Sequence, residues 1–359
     1  MKGQALLIGF LNLGIYLSLM NKKIVGYGEL LLRLTPFEHG GLIAQSETLK
    51  MAFAGAEANI TADLALLGYE TAFVSALPQN PLGRAANQFL QSFGIDTKAV
   101  FLDDGRLGTY FIEHGASIRG TKVTYDRANS SVSNTRILEK NWEVIFSQAD
   151  YFVLTGITPA LSEICRNNIK TALEIAKAKG IKVLFDLNYR RTLWTSAEAR
   201  HSFETILPFV DLLFANVGSA FDVFDIQTIT TDDYSSLELA TKQAADALEN
   251  YGDFEWIAMT MRLQKSADDN QLGGMIKKEK QYYFSPALST RIVDRLGGGD
   301  AFAAATLHGI INDWPINDIV NFSTAAFALT QTIQGDINYL TEKEILEVAN
   351  GGVHGYVRR

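Results

Sequence analysis

The sequence predicts an α/β fold: a doubly wound, mostly parallel sheet flanked by helices, with a small antiparallel β lid. Three observations carry this. From Met20 onward, short apolar runs alternate with stretches whose apolar residues recur at helical spacing. Several of those helical stretches stop on glycine, as at Gly68 and Gly180. Two other stretches alternate polar and apolar residues with no helix between them. Strands joined by crossover helices require a parallel sheet covered on both faces, whereas strict alternation suits an antiparallel sheet with one wet face.

KIVGYG (Lys23 to Gly28) is the first strand, GAEANITADLALLG (Gly55 to Gly68) a helix, and TAFVSAL (Thr71 to Leu77) a strand again. The rhythm continues through DYFVLTG, the helix ending at Gly180, KVLFDLN, a helix after TSAEAR, DLLFAN, a helix before Tyr251, and WIAMTM. LIAQSETLKMAF (Leu42 to Phe53), LGTYFIEHG and TKVTYDR (Leu107 to Arg127) break it, which puts lid strands within about 33–53 and 106–128 over the carboxyl edge of the sheet. No linker or repeat divides residues 20–359, so one domain is expected. Ala5 to Met20 is almost wholly apolar, but its 16 residues fall short of a membrane span. Residues 1–19 read as an extension outside the fold; a secretory signal competes, though only Lys2 precedes the apolar run and no A-x-A site follows.

Acidic residues outnumber basic ones, 40 to 32, which argues against a nucleic-acid partner. Cys165 is the single cysteine, so no internal disulfide forms, and a cytoplasmic protein with no membrane partner is expected. There is no G-x-x-x-x-G-K-[ST], and GYGELL at Gly26 holds only two glycines of a dinucleotide fingerprint.

The segment RIVDRLGGGDAFAAATLHGI carries the chemistry. A strand-like run stops at Gly297, Gly298 and Gly299, Asp300 follows, and a small-residue helix begins near Ala301. Glycines ahead of a helix let backbone N–H groups approach an anion, and the helix N-terminus favours negative charge. A helix-capping Asp300 with a tight glycine turn is the competing reading. A methyl at Gly298 is expected to block the approach of phosphate oxygens.

VDRLGGGDAFAAA resembles the C-terminal motif D-T-x-G-A-G-D of the ribokinase-like (PfkB) carbohydrate kinases, and AGAEANITADLALLG with PLGRAANQFLQSFGIDT resembles their N-terminal glycine-rich region. Within that family GAEAN, TYDRANS, LTGITPAL, FDLNYRRTLW and the terminal GYVRR are similar to the 2-keto-3-deoxygluconate kinases. The resemblance implies ATP-dependent phosphorylation of a sugar acid, with ATP and Mg²⁺ as cofactors. It implies Asp300 as general base and Gly297, Gly298 and Gly299 as an anion hole. Gly55, Ala56, Glu57, Asn59, Tyr110, Tyr125, Arg127, Ile157 and Arg190 match positions around the sugar acid. Asn216, Thr260, Arg262 and Asn321 match positions around ATP.

Phosphoryl transfer asks mainly for positioning and charge stabilisation, so this set suffices chemically. A sugar acid also needs a cation for its carboxylate, which Arg127 and Arg190 supply as planar forks. A solvated surface charge is the other role open to either arginine, and lid packing the other role of Tyr110 and Tyr125. The family's N-x-x-E element reads Asn216-Val217-Gly218-Ser219, without the glutamate, which leaves the metal ligands unknown; Asp186, Asp222 and Asp225 lie nearby in sequence. A non-catalytic sugar-acid-binding protein on the same fold, and a kinase for fructose or 2-keto-3-deoxygalactonate, remain open. So does a homo-oligomer formed through the lid.

Overall fold

Apolar runs become inner strands here because helices cover the sheet on both faces. The computed structural model describes residues 22–352; the extension at 1–19 and the GYVRR terminus lie outside them. In chain order the strands are β1 (Lys23–Tyr27), β2 (Leu31–Pro36), β3 (Leu49–Ala54), β4 (Glu70–Pro78), β5 (Val100–Asp103), β6 (Thr109–Glu113) and β7 (Lys122–Asp126). They continue with β8 (Tyr151–Thr155), β9 (Lys182–Asp186), β10 (Leu212–Ala215), β11 (Trp256–Gln264), β12 (Asp269–Lys278), β13 (Gln281–Phe284) and β14 (Leu288–Arg291).

The main sheet runs β13-β12-β11-β10-β9-β8-β1-β4-β5, with β14 also paired to β12. From β5 to β11 every pairing is parallel. Successive side chains then feed two different cores. Phe152 and Leu154 of β8, and Val183 and Phe185 of β9, join the cluster around Trp142 and Phe203. Val153 and Leu184, between them, join the opposite cluster with Ile60, Phe302 and Phe327. That alternation is why these strands read as continuous apolar runs.

The lid is a four-stranded sheet in the order β3-β2-β6-β7. Its outer pairs are antiparallel and its central pair, β2 with β6, is parallel. Leu42 to Thr48 is not strand as expected: Ile43–Gln45 forms a 3-10 turn, Glu113 accepts a hydrogen bond from the Ile43 N–H at 2.9 Å, and the ladder starts only at Leu49. The expected lid span also begins two residues late, because β2 opens at Leu31. The antiparallel edge β12–β14 carries no crossover helices and was missed by a reading that tracks strand–helix alternation.

Among the described residues no helix is long and apolar enough to cross a membrane. Asn80 caps the helix Pro81–Ser92 and accepts from the Leu82 and Gly83 N–H groups, while Thr195 and Glu198 form a capping box at the helix Ser196–Ile206. Gly180 ends the helix Glu163–Lys179 at φ 70°, where glycine avoids the Cβ penalty.

Phe302 lies 1% exposed beneath the helix Gly298–Ile311, its ring 6.4 Å from Phe214 and 6.2 Å from Phe327. Phe302→Ala is expected to lower stability by about 3–5 kcal/mol through cavity formation. Urea unfolding checks this; a loss under about 1 kcal/mol would mean that the helix does not rest on this ring.

Candidate active site

Parallel strands deliver their polar residues to one edge. Thr155 ends β8, Asp186 ends β9, Ala215 ends β10 just before Asn216, and Thr260 with Arg262 lies in the second half of β11. Two cavities open there. The larger, about 790 Å³, is lined by Asp186, Asn216, Thr260, Arg262, Arg295, Phe327 and the three glycines. The smaller, about 60 Å³, lies beneath the lid and is lined by Glu29, Gly55, Ala56, Glu57, Asn59, Tyr110, Tyr125, Arg127, Ile157 and Asp336. Arg190, Leu296, Gly297 and Asp300 line both.

The helix begins at Gly298, three residues before the start expected near Ala301, and Gly297 is its N-cap. Asp300 is therefore not a capping residue. It sits inside the first turn, 7% exposed, and accepts a hydrogen bond from Asn59 Nδ2 at 2.8 Å. Burial pushes its pKa up to about 8; the Asn59 bond and Arg190 oppose the rise, and Asp186 and Asp336 add to it.

The three glycines are needed for different reasons. Gly297 has φ 73°, and a Cβ there would lie 1.8 Å from the Asp336 carbonyl oxygen. At Gly298 a Cβ would meet Gln331 Nε2 at 2.8 Å and Phe327 at 3.0 Å, so its methyl would enter packed protein rather than the cleft, contrary to expectation. Only at Gly299 is there nothing within 4 Å.

Around the smaller cavity, Gly55 donates its N–H to Asn59 Oδ1 at 3.2 Å, which orients the amide toward Asp300. Glu57 is buried, and one of its oxygens accepts from the Thr155 N–H at 3.1 Å, the Thr155 hydroxyl at 2.8 Å and the Thr158 hydroxyl at 2.6 Å. It ties the helix Ala56–Leu66 to the end of β8 and builds the cavity floor. Ile157 donates its N–H to the Thr155 hydroxyl at 3.2 Å. Tyr110 donates to Asp336 Oδ2 at 3.1 Å, and its ring lies 5.8 Å from that of Tyr125. Arg127 stacks 5.3 Å over Tyr125 and donates through Nε at 2.7 Å and through Nη2 to Glu29 Oε2. Arg127 is thus a paired, buried cation, not a solvated charge. Arg190, between the cavities, is in no ion pair among the described residues.

In the larger cleft Arg262 donates to Gln331 Oε1 at 2.7 Å and lies 5.3 Å over Phe327. Burial, then the neighbouring Arg295, pushes its pKa down to about 9. Such a shift marks a cation lacking an anion. Asn216 and Ser219 form a capping box at the helix Val217–Phe224, with Asn216 Oδ1 accepting from the Ser219 N–H at 2.9 Å. Ser219 thereby fills the expected glutamate's position with a local cap. Asp222 pairs with Arg191, and Asp225 accepts from Gln227 at 2.7 Å. Asp186 accepts from the Asn188 N–H at 3.0 Å, and burial pushes its pKa up to about 6.

Asn321 is not brought to either cavity; further along the same helix, Ile316–Thr330, Phe327 reaches the cleft instead. Sequence reasoning passed over Glu29, Arg33, Asp294, Arg295 and Asp336. Asp294 and Arg295 stood within the VDRLGGGD motif itself, whereas Asp336 lies in a short turn with no pattern to mark it.

Residues 21–343 match the model of the pfkB family carbohydrate kinases. The chain belongs to that family. It is 34% identical to the 2-dehydro-3-deoxygalactonokinase of Haloferax volcanii, over 94% of this chain and 100% of that protein. It is 25% identical to the 2-dehydro-3-deoxygluconokinase of Bacillus subtilis, over 91% and 95% of the two chains. The crystal structure of the 2-dehydro-3-deoxygluconokinase of Thermotoga maritima superposes with a TM-score of 0.87 at 37% identity, covering 92% of this chain and 100% of that one. The ribokinase-like fold and the family resemblance read from the sequence are both borne out.

The glycine geometry separates two variants of this carbohydrate kinase. Gly297→Ala must displace the Asp336 carbonyl and should lower the melting temperature along with turnover. Gly299→Ala meets nothing, so it should melt like the parent while binding ATP more weakly. Equal thermal losses in both would refute the distinction.

Proposed function

We propose that the protein is an ATP-dependent sugar-acid kinase that converts 2-keto-3-deoxygluconate to its 6-phosphate, with Asp300 as general base. The observation that carries this is the position of Asp300: one buried carboxylate in the wall shared by a large cleft that holds Arg262 and Arg295 and a small polar cavity beneath the lid. A sugar hydroxyl in the smaller cavity and a phosphate in the larger meet there. Asp300 accepts the hydroxyl proton as the oxygen attacks the γ-phosphorus, and the phosphorus–oxygen bond to ADP breaks. The N–H groups at the start of the helix Gly298–Ile311 face the transferring oxygens, and Arg262 and Arg295 supply positive charge.

The cleft fits nucleotide phosphates, since its half-buried Arg262 and Arg295 have no acidic partner among the described residues. No group of three or more His, Cys, Asp or Glu side chains able to hold a metal is found among those residues. This suits Mg²⁺, which keeps most of its waters and rides on substrate phosphates with one or two carboxylates. Asp186, which is in no ion pair among the described residues, is the carboxylate to hold it. When bound, Mg²⁺ neutralises phosphate charge. The names of the relatives support a 2-keto-3-deoxy sugar acid as acceptor, with gluconate and galactonate epimers both represented. ADP release with Mg·ATP and each epimer, beside fructose, tests the reading; release with neither acid would end it.

Asp300→Asn keeps the shape and removes the proton acceptor, so kcat should fall by about 10²- to 10⁴-fold. In the parent, kcat/KM should rise with pH to a limb near the Asp300 pKa of about 8. Stability should move the other way. Folded Asp300 keeps its proton to about pH 8 and an unfolded aspartate only to about 3.8, so the folded state binds more protons between these values and loses stability as pH rises. Asp300→Asn should therefore melt higher than the parent at pH 8.5. A lower melting point with near-normal kcat would contradict both statements.

Arg190→Ala should remove a charge-assisted hydrogen bond worth about 1.5–3 kcal/mol, raising KM for the sugar acid by about 10- to 150-fold and KM for ATP far less. Arg127→Ala also strands the buried Glu29, so it should lose stability as well as affinity. Parent-like KM for the sugar acid in Arg190→Ala would show that this arginine does not read the carboxylate.

A further inference from the structure

Arg33 is 4% exposed, on lid strand β2, and is used by nothing in the chemistry above. Its Nη1 donates to Asp336 Oδ1 and its Nη2 to Asp294 Oδ2. Both carboxylates hold the glycine loop. Asp294 accepts from the Leu296 N–H at 3.3 Å and from the Gly335 N–H at 3.1 Å. The carbonyl of Asp336 occupies the space that a Cβ of Gly297 would need, and its carboxylate accepts the Tyr110 hydroxyl at 3.1 Å from strand β6. One guanidinium therefore joins lid strands β2 and β6, the loop at 294–297 and the turn at 335–336.

We propose that Arg33 is a positioning residue: it locks the glycine loop to strand β2 and so holds the phosphate-facing N–H groups in register. This rests on the kinase reading. A fork is required because the two carboxylates lie on different segments; a lysine, a compact point charge, satisfies one geometry at a time. Replacing the pair of bonds by one leaves the loop free to shift, and a shift of about 1 Å at a reacting centre costs on the order of 10²-fold in rate.

Two variants, Arg33→Lys and Asp336→Asn, are compared with the parent by melting temperature, sugar-acid-dependent kcat and KM, and amide hydrogen exchange across residues 294–300 without ligand. Asp336→Asn leaves Arg33 paired to Asp294, so it provides the test should Arg33→Lys not fold. The expected result is faster exchange across 294–300 in both, with kcat down by about 10- to 100-fold and a much smaller change in KM for ATP. Parent-like kcat in a folded variant overturns the proposal, whatever the exchange. If the parent itself released no ADP with any sugar acid, the kinase reading would fall, and exchange would still decide whether Arg33 holds the loop: unchanged exchange overturns that too.

Discussion

Asp300 is buried in the wall between two cavities, and a carboxylate there carries a desolvation penalty that its surroundings must offset. The offset comes from two helices that cross next to it. Asn59 on the helix Ala56–Leu66 donates to the carboxylate, and the N-terminal turn of Gly298–Ile311 supplies the favourable end of a helix dipole. The two helices share one buried cluster, Ile60 and Leu64 from the first and Ala303, Ala304 and Leu307 from the second. Deeper in the same helix, Asp63 is buried too, with its pKa raised by burial and further by Asp300. A carboxylate that holds its proton costs less to bury than an ion, which makes this acidic interior tolerable.

The cations of the site divide into two groups. Arg127 beneath the lid is paired with Glu29, and Arg33 with Asp294 and Asp336, while Arg190, between the cavities, is in no ion pair among the described residues. In the larger cleft Arg262 and Arg295 have no acidic partner among the described residues, and Arg262 is held only by neutral groups, Gln331, Asn270 and the face of Phe327. The paired set builds shape, because breaking a buried pair costs about 3–5 kcal/mol. The unpaired set builds field. Asp186, Asp222 and Asp300 line the same cleft; Asp222 is paired with Arg191, and burial pushes the Asp300 pKa up to about 8.

Much of this was legible along the chain. The parallel strands from β4 to β11 follow from apolar runs punctuated by helices, and the glycine-aspartate loop follows from its composition. Legibility failed where an element answers to a distant partner. Leu42 to Phe53 reads as one strand stretch, yet its start forms a 3-10 turn at Ile43–Gln45, where Glu113 takes the Ile43 N–H. Asn321 matched an expected position by order alone, and the lining of the cleft at that helix is made by Phe327. Ser219 reads as a missing metal-organising acid and is, locally, half of a capping box.

The sequence by itself determined the fold class, the family, and the position along the chain of the aspartate and its glycines, because these depend on local periodicity and on backbone freedom near one residue. Tertiary structure alone decided what each of those residues is for. Gly297 is required by the Asp336 carbonyl, Gly298 by Gln331 and Phe327, and Gly299 by no packing contact, although the three letters are identical. The proton affinity of Asp300 is likewise absent from its neighbours in sequence. It arises from exclusion of water, is lowered by the Asn59 bond and is raised further by Asp186 and Asp336, all of which only folding brings together.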